Sequence, residues 1–267
     1  MKCLLNMIAF RVLLNVFICS FLIHSPSFAQ QKVVVNDVEW PPYFFIGDTK
    51  KQLGLGKDLI NICLHKMDYK AEYHRLPIKR TLALMEIGEI DITVYSYLAS
   101  RESILHYSTE FIFSTDYAFM VRADSDIVIN KLADLAPYRM GHLAGLTYTP
   151  ELLKIINEKD KVNEVVTGFS LRSMFSQLLA PTPRFDIIAD ARDTFYWRAN
   201  TLGISDKIKV LDYKIKTKKY YITVSKQSKN IKDAVSFLNK TDTCLQKLKK
   251  SGEYQAILAN YGIQPAS

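Results

Sequence analysis

Cysteine is scarce in this chain, and its scarcity removes whole classes of chemistry before any motif is considered. Four cysteines occur in 267 residues, and only Cys63 and Cys244 lie beyond residue 29. Cys63 and His65 stand two apart without the further ligands of a spaced metal set. Core or disulfide cysteines are the better reading, and sequence leaves their pairing open. No Gly-x-Ser-x-Gly elbow occurs, and no nucleophile, base and orienting group are recognisable together. No repeat with a period of roughly 20 to 50 residues is visible, and no low-complexity linker divides the chain. Basic residues are scattered, with clusters only at 214–219 and 247–250, and no basic patch alternates with aromatics, so a nucleic-acid partner is not expected. Those clusters read as solvated faces.

What is present begins with an apolar run, 12–23, preceded by Lys2 and Arg11 and followed by Ser27-Phe28-Ala29. A core of about a dozen residues falls short of the ~20 that cross a bilayer and fits a cleaved secretory signal. The mature chain is expected to start near Gln30, and Ile18 before Cys19 argues against a lipoprotein site. No second long apolar run follows, so the remainder is expected to be soluble and to work outside the inner membrane. Without Lys2 and Arg11, the overall +8 becomes 33 basic against 27 acidic residues, a modest surplus of +6. The 238 residues left suffice for two compact lobes or one large domain.

Strand and helix patterns alternate. The β-branched run 32–36 predicts a strand, stopped by Pro41 and Pro42 in a loop carrying Trp40, Tyr43, Phe44 and Phe45. Helical spacing follows over 57–67, then a strand at 70–76, a helix at 78–87 and a strand at 90–95. Further strands are predicted at 117–122, 139–143, 162–167, 185–189, 207–212 and 220–224. Helices are predicted at 149–157, 171–179, 230–248 and 252–260. The alternation implies α/β lobes with largely parallel sheets and a ligand cleft at the strand ends between them.

Seven landmarks in order carry a resemblance. They are Asp37-Val-Glu-Trp40-Pro-Pro-Tyr43, Gly56-Lys-Asp58-Leu59, Leu84-Met-Glu-Ile-Gly88-Glu-Ile-Asp91, Arg101-Glu102 with Tyr107-Ser108 six residues on, Leu132-Ala-Asp-Leu135, Gly141-His-Leu-Ala-Gly145-Leu-Thr147-Tyr148 and Phe185-Asp186-Ile-Ile-Ala-Asp190. Together they resemble the extracellular solute-binding proteins of family 3, the polar amino-acid receptors of ABC importers. The resemblance implies an α/β, two-lobed periplasmic binding protein fold of type II. Lobe 1 would comprise 30–115 and the return 214–267, with lobe 2 at 116–213. It further implies a monomer in the periplasm that binds a small carboxylate-bearing solute, without a cofactor or metal. An inner-membrane ABC permease or a membrane sensor would be its partner.

The resemblance also assigns roles. Arg101 would hold the ligand carboxylate through two parallel hydrogen bonds, the alternative being a surface ion pair with Glu102 or Glu110. Trp40 would cover the ligand or pack on the first helix, and Asp37 would accept an ammonium or close a turn. Tyr43 stands in the same loop. Ser96 and Thr147 would donate from the two lobes, with helix capping as the alternative for Thr147 or Thr149. Asp190 is the candidate for the ligand ammonium, but its spacing from Asp186 is one residue short of the pattern, and Asp193 is the substitute. Ile78 and Arg80 replace an aromatic and a basic position, so Arg80 is a second anion contact or a surface charge. Closure would run through crossovers near 113–117 and 211–216. The competing reading is a dehydratase-like enzyme on the same fold, with Asp37, Glu39 or Asp190 as acid and His142 as base.

Overall fold

The computed structural model describes residues 30–46, 52–76, 78–144, 146 and 148–263; the expected export signal at 1–29 lies outside them. Eight strands are β1 (Gln31–Asp37), β2 (Tyr69–Arg75), β3 (Ile92–Ser96), β4 (Leu105–Arg122), β5 (Met140–Leu143), β6 (Val165–Gly168), β7 (Ile187–Ala191) and β8 (Ile208–Ser225). They form one sheet in the order β2-β1-β3-β8-β4-β7-β5-β6. The described helices are α1 (Leu55–His65), α2 (Ile78–Glu86), α3 (Pro150–Lys161), α4 (Leu171–Leu178), α5 (Arg192–Leu202), α6 (Ala234–Ser251) and α7 (Glu253–Asn260).

β1 begins the first half as its valines require, with Val33 and Val35 buried on one face of the sheet. The chain then turns at the Pro41–Pro42 peptide, which is cis, and Trp40 and Phe44 pair across the turn. Two glycines let this turn lie on α1. Gly54 sits at φ 105, where a Cβ would come within 2.5 Å of the Tyr43 carbonyl oxygen, and a Cβ on Gly56 would run into the Phe44 ring. The loop aromatics are thereby fixed in a buried cluster with Phe113 of β4 and Tyr220 of β8.

The flanks of the sheet are parallel as expected, β1 with β3 and β5 with both β6 and β7. Its centre is not. β8 runs antiparallel to β3 and β4, and β4 antiparallel to β7. The expected short strands at 117–122, 207–212 and 220–224, and the crossovers at 113–117 and 211–216, are parts of two 18-residue strands paired with each other. Neither segment contains a glycine or proline to break it, and the lysine-rich 214–219 stays extended. The ladder shifts register between Tyr107 and Phe111, Phe111 and Phe113, Tyr117 and Ala118, and Ala118 and Met120. These irregularities fall where the two strands pass from one half of the molecule to the other.

The cores divide accordingly. One packs residues such as Val33, Tyr43 and Phe113 with others between Tyr220 and Ile263, a smaller one gathers Met85, Ile90, Tyr95 and Leu105, and two others are built from residues between Tyr117 and Leu211. Sequence reading missed α5, because both of its sides are occupied. Phe195 and Ala199 enter the second-half core, and Trp197 lies 4.9 Å from Phe45 in the first half. Such a helix has no single apolar stripe. Cys63 of α1 and Cys244 of α6 form a disulfide with Cα atoms 5.7 Å apart, deciding the pairing that sequence left open. No helix among the described residues is long and apolar enough to cross a membrane.

Candidate functional site

The two halves meet where β4 and β8 cross, and the ends of β1, β3 and β7 converge on the same seam. An aromatic wall lines it. Tyr43 stacks on Phe113 at 4.2 Å, Phe113 stacks on Tyr220 at 5.3 Å, and Trp40 sets its edge against Tyr220 at 4.8 Å. The Tyr220 hydroxyl lies 2.9 Å from that of Tyr117, joining the first-half wall to the second. Beyond Tyr117 stands Tyr148, which donates to the Ala189 carbonyl at 2.8 Å.

Charge is placed among these rings. β3 ends in a 3₁₀ turn, Ala99–Arg101, which brings the half-buried Arg101 back over its own strand. Its guanidinium lies 4.3 Å above the Tyr95 ring and donates to the Ser96 carbonyl at 3.3 Å. Ser96 pairs in register with Tyr220. Two residues before Tyr220 on β8, Lys218 sits on the same face, 8% exposed, with its ammonium 4.9 Å from the Tyr117 ring centre. Burial pulls the Lys218 pKa down to about 8; Lys216 and Arg101 add to the shift and Asp190 opposes it. Asp190 is 3% exposed and accepts the Ala191 amide at 2.6 Å. Burial pushes its carboxyl up to about 7, against the Ala191 amide, Arg198 and Lys218. Lys218 therefore senses both Arg101 and Asp190.

Other side chains fasten the halves together. Tyr43 donates to Asp193 Oδ2 at 2.6 Å and Thr115 donates to the same oxygen at 3.1 Å. Arg198 of α5 donates to Glu39 at 2.7 Å, and the other oxygen of that carboxylate takes the Ile46 amide at 3.0 Å. α5 is thus docked on the loop that follows β1.

The structure gathers Arg101, Ser96, Trp40, Tyr43 and Asp190 around this seam. Asp37 is drawn elsewhere: it pairs with Lys57 at 2.7 Å, both side chains under a tenth exposed, and Lys57 also donates to the Phe45 carbonyl. Arg80 is exposed on α2. Thr147 and the side chain of Ile78 lie outside the described residues, whereas Thr149 caps α3 by accepting the Leu152 amide at 3.3 Å. Asp193 already serves Tyr43 and Thr115. Lys218, Tyr117 and Tyr220 were missed by sequence reading, which assigned Lys218 to a solvated cluster. The available signal was its alternation with Tyr220, Ile222 and Val224 in one buried face. Among the described residues no cluster of three or more His, Cys, Asp or Glu side chains could hold a metal ion.

Solved structures share the fold at low identity. A histidine kinase sensor domain with similarity to periplasmic binding proteins superposes with a TM-score of 0.68 at 19% identity, over 87% of this chain and 96% of that one. A mutant of ArgBP from T. maritima gives 0.69 at 18% identity, over 86% and 95%. The GluR0 ligand-binding core from Nostoc punctiforme in complex with L-glutamate gives 0.65 at 16% identity, over 86% and 98%. These likenesses establish the two-lobed α/β fold of periplasmic binding proteins. Comparison with curated proteins finds no match. The sequence pattern of the bacterial extracellular solute-binding proteins, family 3, is met across residues 33–264, and the chain belongs to that family.

Proposed function

We propose that this protein is a periplasmic receptor, exported by the segment 1–29, that captures a small carboxylate-bearing solute, an amino acid or a relative, by closing two lobes around it. The lobes are 30–115 with 214–267, and 116–213. Delivery is to an inner-membrane ABC importer. The observation that carries this reading is the Arg101 guanidinium, held over Tyr95 by the Ser96 carbonyl at the seam of the two cores. A planar guanidinium so fixed suits a carboxylate, which can take two parallel charge-assisted hydrogen bonds from it. Trp40, Ser96 and Asp190 complete the contacts, with Thr147 as donor from the second lobe. Asp37, Tyr43 and Arg80 are not included, since Lys57, Asp193 and solvent respectively occupy those groups. A solute that touches both lobes only when they are shut draws the equilibrium toward closure.

Calorimetric titration with amino acids and small carboxylic acids tests the reading. Arg101→Ala is expected to weaken the tightest binder about a hundredfold, or ~3 kcal/mol. Unchanged affinity removes Arg101 from the site.

The sensor-domain neighbour supports a second listener, a membrane sensor in place of an importer. A permease and ATPase encoded beside this gene favour delivery, and a sensor kinase favours signalling. Catalysis has less support. Burial holds His142, the candidate base, below its ordinary pKa against the pull of Asp160, and its buried Nδ1 has no hydrogen-bond partner among the described residues to orient the ring.

A further inference from the structure

We infer that Tyr95 is a positioning residue for the solute: its ring carries the Arg101 guanidinium from one face and so leaves the in-plane N–H groups of that cation to the bound carboxylate. This rests on the receptor reading above and concerns how its anchor is held.

Arg101 is kept clear of the chain's own acids. Glu102 and Glu110, weighed from the sequence as its ion-pair partners, are both engaged elsewhere. Glu102 accepts the Tyr97 hydroxyl at 3.0 Å, and Glu110 takes the Lys249 ammonium at 2.5 Å. Among the described residues Arg101 forms no ion pair. Its contacts are the Tyr95 ring, 4.3 Å from the guanidinium carbon, and the Ser96 carbonyl, which takes one N–H at 3.3 Å. A guanidinium carries its N–H donors in one plane, and a carboxylate of the chain would occupy two of them, the pair that a solute carboxylate needs. An aromatic face attracts the same charge from above that plane and uses none.

The ring is itself held from several elements. Tyr95 stands opposite Tyr221 in the β3–β8 register and is 8% exposed, in the core that contains Met85 of α2, Ile90 and Leu105. Thr81 of α2, wholly buried, hydrogen-bonds the Tyr95 hydroxyl and accepts the Asn36 side-chain amide of β1 at 2.9 Å. Burial lifts that hydroxyl above its ordinary pKa, against the pull of Arg101 and Thr81, so the ring stays a neutral phenol. Asn36, Thr81 and Tyr95 thus act on the solute through Arg101, by fixing the surface on which its guanidinium rests.

The test changes the electrons of the ring while keeping its shape. Tyr95→Phe, and the same phenylalanine carrying one, two or three ring fluorines, are compared by calorimetry against the tightest binder among amino acids and small carboxylic acids. Fluorine leaves the packing almost unchanged and drains the aromatic face of charge. Tyr95→Phe is expected to stay within about threefold of wild type, and affinity to fall stepwise with fluorination, by about tenfold at three fluorines. Tyr95→Leu is expected to lose at least as much while circular dichroism stays native. Affinity level across the fluorine series overturns this inference, and the receptor reading stands if Arg101→Ala still weakens the same binder. A binder indifferent to Arg101→Ala overturns both, as does absence of binding by every acid tested.

Discussion

A buried acid beside a buried base sets the pH behaviour of single residues here. Asp190 titrates near 7 in the fold because it is desolvated, whereas an exposed aspartate titrates near 3.8. Between those values the native state holds a proton that the unfolded chain releases, so stability falls as pH rises from about 4 to 7 and stays low above. Lys218 acts in the opposite window. Its pKa of about 8 against 10.5 means that the native state binds fewer protons, and stability climbs between those values. Asp190→Asn is expected to raise the melting temperature at pH 8 and to flatten the profile between pH 4 and 7, as read by thermal unfolding at several pH values. At this scale the sequence identified chemical types but not partners. Arg101 and Asp190 were nominated from landmarks and do lie at the seam, yet nothing in the order of residues shows that Lys57 answers Asp37. Twenty positions separate those two, and only the fold brings them to 2.7 Å.

Elements were legible where their pattern was one-sided. The valines of β1 and the spacing in α1 predict both within two residues of their observed ends. α5 was hidden because it packs on two partners, and β8 was cut because its lysine-rich stretch resembles a solvated break. α1 and α6 are joined by the Cys63–Cys244 disulfide, which closes a loop of 181 residues. A cross-link over so long a loop restricts the unfolded chain strongly, typically by 2–4 kcal/mol. The Cys63→Ala, Cys244→Ala variant is expected to lose about that much in urea unfolding. Wild-type protein treated with reductant should match it, which separates the cross-link from any packing defect left by alanine.

Across the whole molecule, the two halves communicate through a paired strand ladder rather than through loose connections, and their other ties are side chains. The Tyr43–Asp193 and Arg198–Glu39 contacts hold α5 against the loop after β1. Each hydrogen bond contributes about 1 kcal/mol, the partly exposed Arg198 pair at the lower end. Combining Tyr43→Phe with Arg198→Ala is expected to shift the resting equilibrium about tenfold toward the open form. Small-angle scattering should record a larger radius, and stopped-flow mixing a faster association with weaker final affinity, although neither residue contacts the proposed solute. The two-lobed plan could be read from the order of the landmarks. The seam could not, since its ties join residues some 150 positions apart.

Those same ties bear on how long the proposed closure lasts. Because Asp193 and Glu39 find their donors within the chain, a solute that bridges both halves adds to fastenings the chain already supplies. Cargo bridging both halves, as proposed above, is then expected to keep the clasp shut longer than those fastenings alone, so that occupancy is expressed as dwell time in the clasped shape.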